Sequence, residues 1–179
     1  MKGSNLEDVN VTASTERDNV LETSQEFRTL RRLAAPHYDC IAKSYKQSET
    51  VSQGKSRIKS RFMAFMERNS FSSLVDLGCG SGVFAVIAKS FGLAHVVGVD
   101  VSPEQIALAE SDARARGLDV SYHVSDISSF VYGGTFDCVS SVFGFCYART
   151  KHDLQLQLKS ASRLLNRRGK LFAVVCNPW

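Results

Sequence analysis

Three glycines and three aspartates are the residues with the clearest capacity for chemistry. Gly78, Gly80 and Gly82 form a GxGxG turn directly after the short apolar run at 73–77, with Cys79 inside it. Glycine lets a backbone turn tightly and approach a ligand closely. A helix starting after such a turn offers unpaired N–H groups at its N-terminus. Asp76 stands two residues before the first glycine, Asp100 follows a second apolar run at 95–99, and Asp126 follows a third at 120–124. An acid at the end of the second strand can accept both hydroxyls of a ribose. An acid after the third can accept from an exocyclic adenine amine, with the Ile127 N–H meeting a ring nitrogen. The set amounts to a backbone cradle, a ribose acceptor and an adenine acceptor. The spacing differs from the dinucleotide pattern GxGxxG, because Val83 stands where the third glycine would fall; this opposes a nicotinamide-dependent oxidoreductase.

These residues need strands to carry them. The runs at 73–77, 95–99, 120–124, 136–142 and 170–176 read as five strands. Between them, helices are expected at 83–91, 104–116 and 152–166. Ser102 is the expected N-cap of the second of these, with Pro103 at its first position and Gly117 at its C-terminal end. Gly169 is expected to mark the turn before the fifth strand. Strands alternating with helices predict an α/β, Rossmann-like, doubly wound and mostly parallel sheet. Ligands of such sheets sit at the carboxyl ends of the strands, where the strand order reverses. Upstream, helices are expected at 26–47, interrupted near Pro36, and at 51–67, where Ile58, Phe62, Phe65 and Met66 share one face. Residues 1–26 are polar and weakly patterned. The predicted organisation is a weakly ordered segment at 1–26, a helical cover at 27–70 and a ligand-binding core at 71–179.

The chain has 179 residues, 44% of them hydrophobic and 22% charged. That suits one globular domain and argues against disorder or a disulfide scaffold. No apolar stretch approaches the length of a membrane span, and the N-terminus lacks a signal-peptide core. Five cysteines, with no CxxC and no ligand spacing to the four histidines, read as free thiols rather than a metal centre. The expectation is a cytoplasmic protein without a metal. Residues 27–70 carry ten basic and three acidic residues, including Lys55, Arg57, Lys59 and Arg61. This stretch leaves a nucleic-acid partner open without favouring it over a solvated helix face.

Taken in order, the motifs resemble the class I S-adenosylmethionine-dependent methyltransferases over residues 71–179. They are Val75-Asp-Leu-Gly-Cys-Gly-Ser-Gly82, Val97-Gly-Val-Asp-Val-Ser102, Val124-Ser-Asp-Ile127, Phe136-Asp-Cys-Val139 and Leu164-Leu-Asn-Arg-Arg-Gly-Lys170. The resemblance implies that S-adenosylmethionine is the cofactor. The loop of Asp76, Gly78, Cys79, Gly80 and Gly82 would face its methionine end, Asp100 with Val101 its ribose, and Asp126 with Ile127 its adenine. Val142, ending the fourth strand, would pack beside it. Residues 37–45 are similar to the YDxIAxxY lead-in of small-molecule methyltransferases, which implies that Tyr38 and Tyr45 help cover the cofactor. Tyr147-Ala148 and Asn177-Pro178 look similar to the toxoflavin-type N-methyltransferases.

The function implied is methyl transfer to a small-molecule acceptor by in-line displacement. Family members carry two further strands after the fifth, whereas this sequence stops at Trp179; the expectation is a sheet truncated after strand five. Two alternatives follow: a truncated, non-catalytic protein that at most binds cofactor, or a methyltransferase acting on nucleic acid. The acceptor atom, the catalytic residues and the oligomeric state are not readable. His37 and His152 are weak candidates for a base, and Cys146 a weaker one for a nucleophile.

Overall fold

A computed structural model of the chain describes residues 53–175, with side chains from residue 56 onward. The elements in chain order are α1 (Gln53–Glu67), β1 (Ser73–Leu77), α2 (Val83–Ser90), β2 (His95–Asp100), α3 (Pro103–Ala115), β3 (Ser121–Val124), β4 (Phe136–Val142), a 3₁₀ turn (Gly144–Tyr147), α4 (Lys151–Leu164) and β5 (Leu165–Val174). The five strands form one sheet in the order β3-β2-β1-β4-β5, and every neighbouring pair is parallel. Chain order runs outward from β1 through β2 to β3, then resumes on the other side with β4 and β5. The reversal point therefore lies between β1 and β4, at the carboxyl end of the sheet.

Alternation along the strands sorts the core into two layers. Val75 and Leu77 of β1, Val97 and Val99 of β2 and Val139 of β4 pack with Ile127, Phe130, Phe145 and α4's Ala161 and Leu164. On the other face Leu74, Val96 and Cys138 pack with Phe62 and Met66 of α1 and Ala85 and Ala88 of α2. Phe62 is fully buried, edge-on to Phe84 and Phe172 at 5.2 and 5.1 Å. Burying such a side chain contributes roughly 1.5–3 kcal/mol. The expected amphipathic face at 51–67 thus exists where it is described, and it packs onto the sheet.

Local signals set the helix boundaries. Ser102 caps α3 by accepting from Gln105 N–H at 3.2 Å, with Pro103 at its first position. Thr150 and Asp153 form a reciprocal capping box on α4. β5 departs from expectation. It begins at Leu165, directly after α4, rather than at Lys170. Leu165 pairs with Phe136, yet Lys170 already pairs with Cys138, so the ladder carries an irregularity between them. Gly169 lies inside that irregularity, where a methyl group would come within 3.0 Å of the Phe136 carbonyl oxygen. Its small size fits a crowded bulge, not a separate turn. The Tyr38 and Tyr45 positions, the predicted helix at 26–47, and Cys40 and Cys176 lie outside the described residues. Among the described residues, no helix is long and apolar enough to cross a membrane.

Candidate functional site

The glycine turn after β1 is held from two sides. Gly78, Gly80 and Gly82 adopt φ of 74°, 52° and 83°, a left-handed conformation that other residues adopt at a cost. On the β2 side, Gly78 N–H and Cys79 N–H both donate to the Val99 carbonyl, at 2.8 and 3.0 Å. The next amide, Gly80 N–H, donates to Asp100 Oδ2 at 2.8 Å, while Asp100 Oδ1 accepts from Ser102 N–H at 3.0 Å. Asp100 therefore clips the glycine turn to the start of α3. Helix α2 then begins at Val83, after Gly82, with no side-chain cap. Its first amides and their positive dipole end open at the same edge.

On the β4 side, contact is closer still. Ser140 Oγ donates to Asp76 Oδ1 at 2.7 Å, and Ser141 Oγ donates to the Leu77 carbonyl at 2.9 Å. Both serines are fully buried, and Asp76 is 1% exposed. Beyond the strand, Gly144 lies against the turn itself. A methyl group on Gly78 would fall 2.8 Å from Gly144 Cα, and one on Gly144 would fall 2.5 Å from the Leu77 oxygen. Phe143, just before it, has φ 64°, the only positive value at a non-glycine among the described residues. Such a backbone costs roughly 1–3 kcal/mol and persists where the surroundings impose it.

The expected contacts thus divide. The sequence left Asp76 two roles, ligand contact or brace of the glycine turn. The structure places its carboxylate in the interior against β4, while Asp100 receives the turn's amide. Val101 and Val142 are half-buried at the carboxyl ends of β2 and β4. Asp126 is half-buried, and its Oδ1 accepts from Ser128 N–H at 2.8 Å and from the Ser128 hydroxyl. Ile127 is 8% exposed and belongs to the core layer beneath the turn. A methyl on Gly78 would lie 3.7 Å from its Cδ1. The ends of β1, β2 and β4 and the segment after β3 therefore converge on one edge. His152 is exposed on the first turn of α4, and Arg57 and Arg61 are exposed on α1, with Lys59 half-buried. The 3₁₀ turn, Gly144 and the two buried serines were not anticipated. Gly144 following an apolar strand was the one available signal.

Electrostatics keep the site's thiol quiet. Burial, reinforced by Asp100 and Asp76, pushes the Cys79 thiol well above its ordinary range. Burial, with Asp76 and Asp137 nearby, pushes Cys138 up to about 12. Neither is placed to act as a thiolate nucleophile at neutral pH.

A braced glycine turn at the reversal point of a β3-β2-β1-β4-β5 parallel sheet has matches among known proteins. The methyltransferase domain family model covers residues 74–169. The chain belongs to this methyltransferase domain family. Among curated relatives, a ribosomal protein L11 methyltransferase of Thermotoga petrophila is 41% identical over 70 residues, spanning 39% of this chain and 26% of that protein. The chain thus matches about a quarter of that relative's length. Among solved structures, an S-adenosylmethionine-dependent methyltransferase of Clostridium acetobutylicum superposes with TM-score 0.66 at 22% identity, over 76% of this chain and 57% of that one. The N-methyltransferase NodS of Bradyrhizobium japonicum, solved in complex with S-adenosyl-L-homocysteine, superposes with TM-score 0.63 at 17% identity, over 69% and 63%. At these identities the structural matches speak for the methyltransferase fold.

Proposed function

We propose that the chain binds S-adenosylmethionine at the carboxyl edge of β1, β2 and β4 and directs its methyl group to a small-molecule acceptor. The observation carrying this reading is the clip between Gly80 N–H and Asp100 Oδ2. It joins a glycine turn fit for close backbone approach to an acid at the ribose position of the second strand. The residues fit such a cofactor: three turn residues lack side chains, α2 opens without a side-chain cap, and an acid marks the end of β2. In this reading the turn faces the methionine end, Asp100 and Val101 the ribose, and Asp126 and Ile127 the adenine. Val142 lies beside it, and Tyr38 and Tyr45 belong to a cover formed by residues 27–70.

When bound, S-adenosylmethionine supplies a methyl group on a sulfonium centre, already electrophilic without a covalent enzyme intermediate. The protein's task is alignment of the acceptor in line with the breaking bond and exclusion of water. The rigid double bracing of the turn by β2 and β4 suits alignment. No residue is assigned as a base, which is needed only where the acceptor holds its proton at the working pH.

A protein acceptor is the second reading, favoured by the ribosomal protein L11 methyltransferases among the relatives. The cytoplasm, where S-adenosylmethionine and free thiols coexist, is the proposed compartment. The test is a tritium-transfer assay with labelled S-adenosylmethionine against ribosomal protein L11 and against a panel of small amines and phenols. Label in small molecules alone supports the first reading. Label in L11 alone replaces it with the second, and no label in either removes the assigned activity.

A further inference from the structure

The sheet has an open side at its fifth strand. β5 pairs with β4, and among the described residues no strand lies on its other side. The Val174 carbonyl accepts from Phe143 N–H at 2.8 Å, toward β4. Backbone groups of successive strand residues point to opposite sides, so the N–H and C=O of Leu171 and Ala173 point outward from the edge.

The two faces beside this edge differ in character. Leu171 is in register with Val139 and shares its face, the α4 side. Leu171 is 41% exposed there, Ala173 is exposed, and Val175 just past the strand is 59% exposed. The α1 side is cationic. Arg57, Arg61 and Arg68 are exposed and recur at spacings of four and seven, which makes one row along the helix. The row borders Phe65, which packs on Phe172 of β5 at 5.3 Å between ring centres. Lys170 extends it onto the strand, where its Nζ donates to Asn69 Oδ1 just after α1. Residues 53–68 carry five basic residues and one acid, and residues 154–175 carry five and none.

These features select among occupants. A second copy of this edge brings cations against cations, and like charges repel. A nucleic acid answers the cations but leaves the apolar strip uncovered. A strand added to the edge uses the outward amides, the apolar strip and the charge together. We propose that the β5 edge takes up an extended protein segment of alternating acidic and apolar residues. Its apolar side chains cover Leu171 and Ala173, and its carboxylates meet the arginine row and Lys170. The proposal stands apart from the cofactor reading, since β4 separates β5 from the glycine turn.

The test is fluorescence anisotropy of the full chain with labelled peptides of about eight residues, the length of a strand. The probes are alternating Val and Glu, the same residues in two blocks, alternating Val and Lys, and the alternating Val-Glu peptide with its backbone N-methylated throughout. A single-stranded oligouridylate is the nucleic-acid probe. Saturable binding is expected for the unmethylated alternating Val-Glu peptide alone. Reversing two exposed charges, Arg57→Glu with Arg61→Glu, is expected to weaken it about fivefold or more at low salt, with an unchanged melting temperature. Amide exchange at Leu171 and Ala173 is expected to slow when the peptide is added. Equal binding of the blocked or the N-methylated peptide overturns the proposal, because pairing with the edge is then not involved. Tighter binding of the oligouridylate gives the surface to nucleic acid. A dimer that protects the same two amides gives it to a second copy. Binding of no probe leaves the cations as guards of the edge. Each of these three outcomes also overturns the proposal.

Discussion

At the scale of single residues, the site is a set of hydrogen bonds that cross between strands. Asp100 is the clearest case, since one carboxylate serves both Gly80 N–H and Ser102 N–H. Hydrogen bonds to a charged group contribute about 1.5–3 kcal/mol each. Asp100→Ala is therefore expected to weaken S-adenosylhomocysteine binding at least roughly tenfold by calorimetry, through loss of the clip as well as of the proposed ribose acceptor. Binding within a factor of two of wild type would remove Asp100 from the site. Ser140→Ala takes the Ser140 donor away from a buried carboxylate. We expect it to cost about 1–3 kcal/mol in urea unfolding, and an unchanged midpoint would contradict the bracing role. The same burial that hides Asp76 makes Cys79 and Cys138 poor thiolates. Alkylation mapped by mass spectrometry at pH 8 should leave both unmodified until the chain unfolds.

At the scale of elements, the glycine turn depends on β4 as much as on β1. Gly144 lets the segment after β4 sit on the turn, with 2.5 Å from a would-be methyl to the Leu77 oxygen. Gly144→Ala must displace backbone, and a loss of about 2 kcal/mol or more is expected, on the scale of a forced core rearrangement. Gly134→Ala, with nothing within 4 Å of the added methyl, is the control and should be close to neutral. What could be read from sequence follows the same division. The turn at 76–82, the strand ends at Asp100 and Asp126 and the capped start of α3 are local patterns, which neighbouring residues announce even where distant ones complete the bracing. The roles of the two buried serines and of Gly144 depend on contacts between residues distant in sequence, with 64 positions separating Ser140 from Asp76. No local pattern announces those. The early start of β5 was hidden for a related reason. Leu165 pairs with Phe136 only because the chain bulges near Gly169 to restore register.

At the scale of the molecule, the two ends of the sheet do different work. The carboxyl end carries the candidate site, while the opposite end is stapled by Asp137. That carboxylate accepts from Ser72 N–H and the Ser72 hydroxyl, both at 2.8 Å, from Ser73 N–H at 3.1 Å and from Asn166 Nδ2 at 2.6 Å, so it links the starts of β1, β4 and β5. The Ser72 N–H foremost, then the Ser72 hydroxyl and Ser73, lower its pKa below the ordinary 3.8. A lowered folded-state pKa stabilises the fold above the unfolded value, and that contribution is lost as pH falls through the folded one. Asp137→Asn should therefore destabilise at neutral pH and converge toward wild type as pH falls through the lowered folded-state pKa, as read from melting temperatures across pH. A constant gap would contradict the linkage. The central claim, a nucleoside cofactor site at the reversal point of the sheet, is tested most directly by the melting temperature of the full chain with and without S-adenosylhomocysteine, beside NAD at equal concentration. A ligand that binds only the folded state, present at a hundred times its Kd, adds about 2.7 kcal/mol. The account predicts a rise of several degrees with S-adenosylhomocysteine and none with NAD. A rise with NAD alone, or with neither, would contradict it.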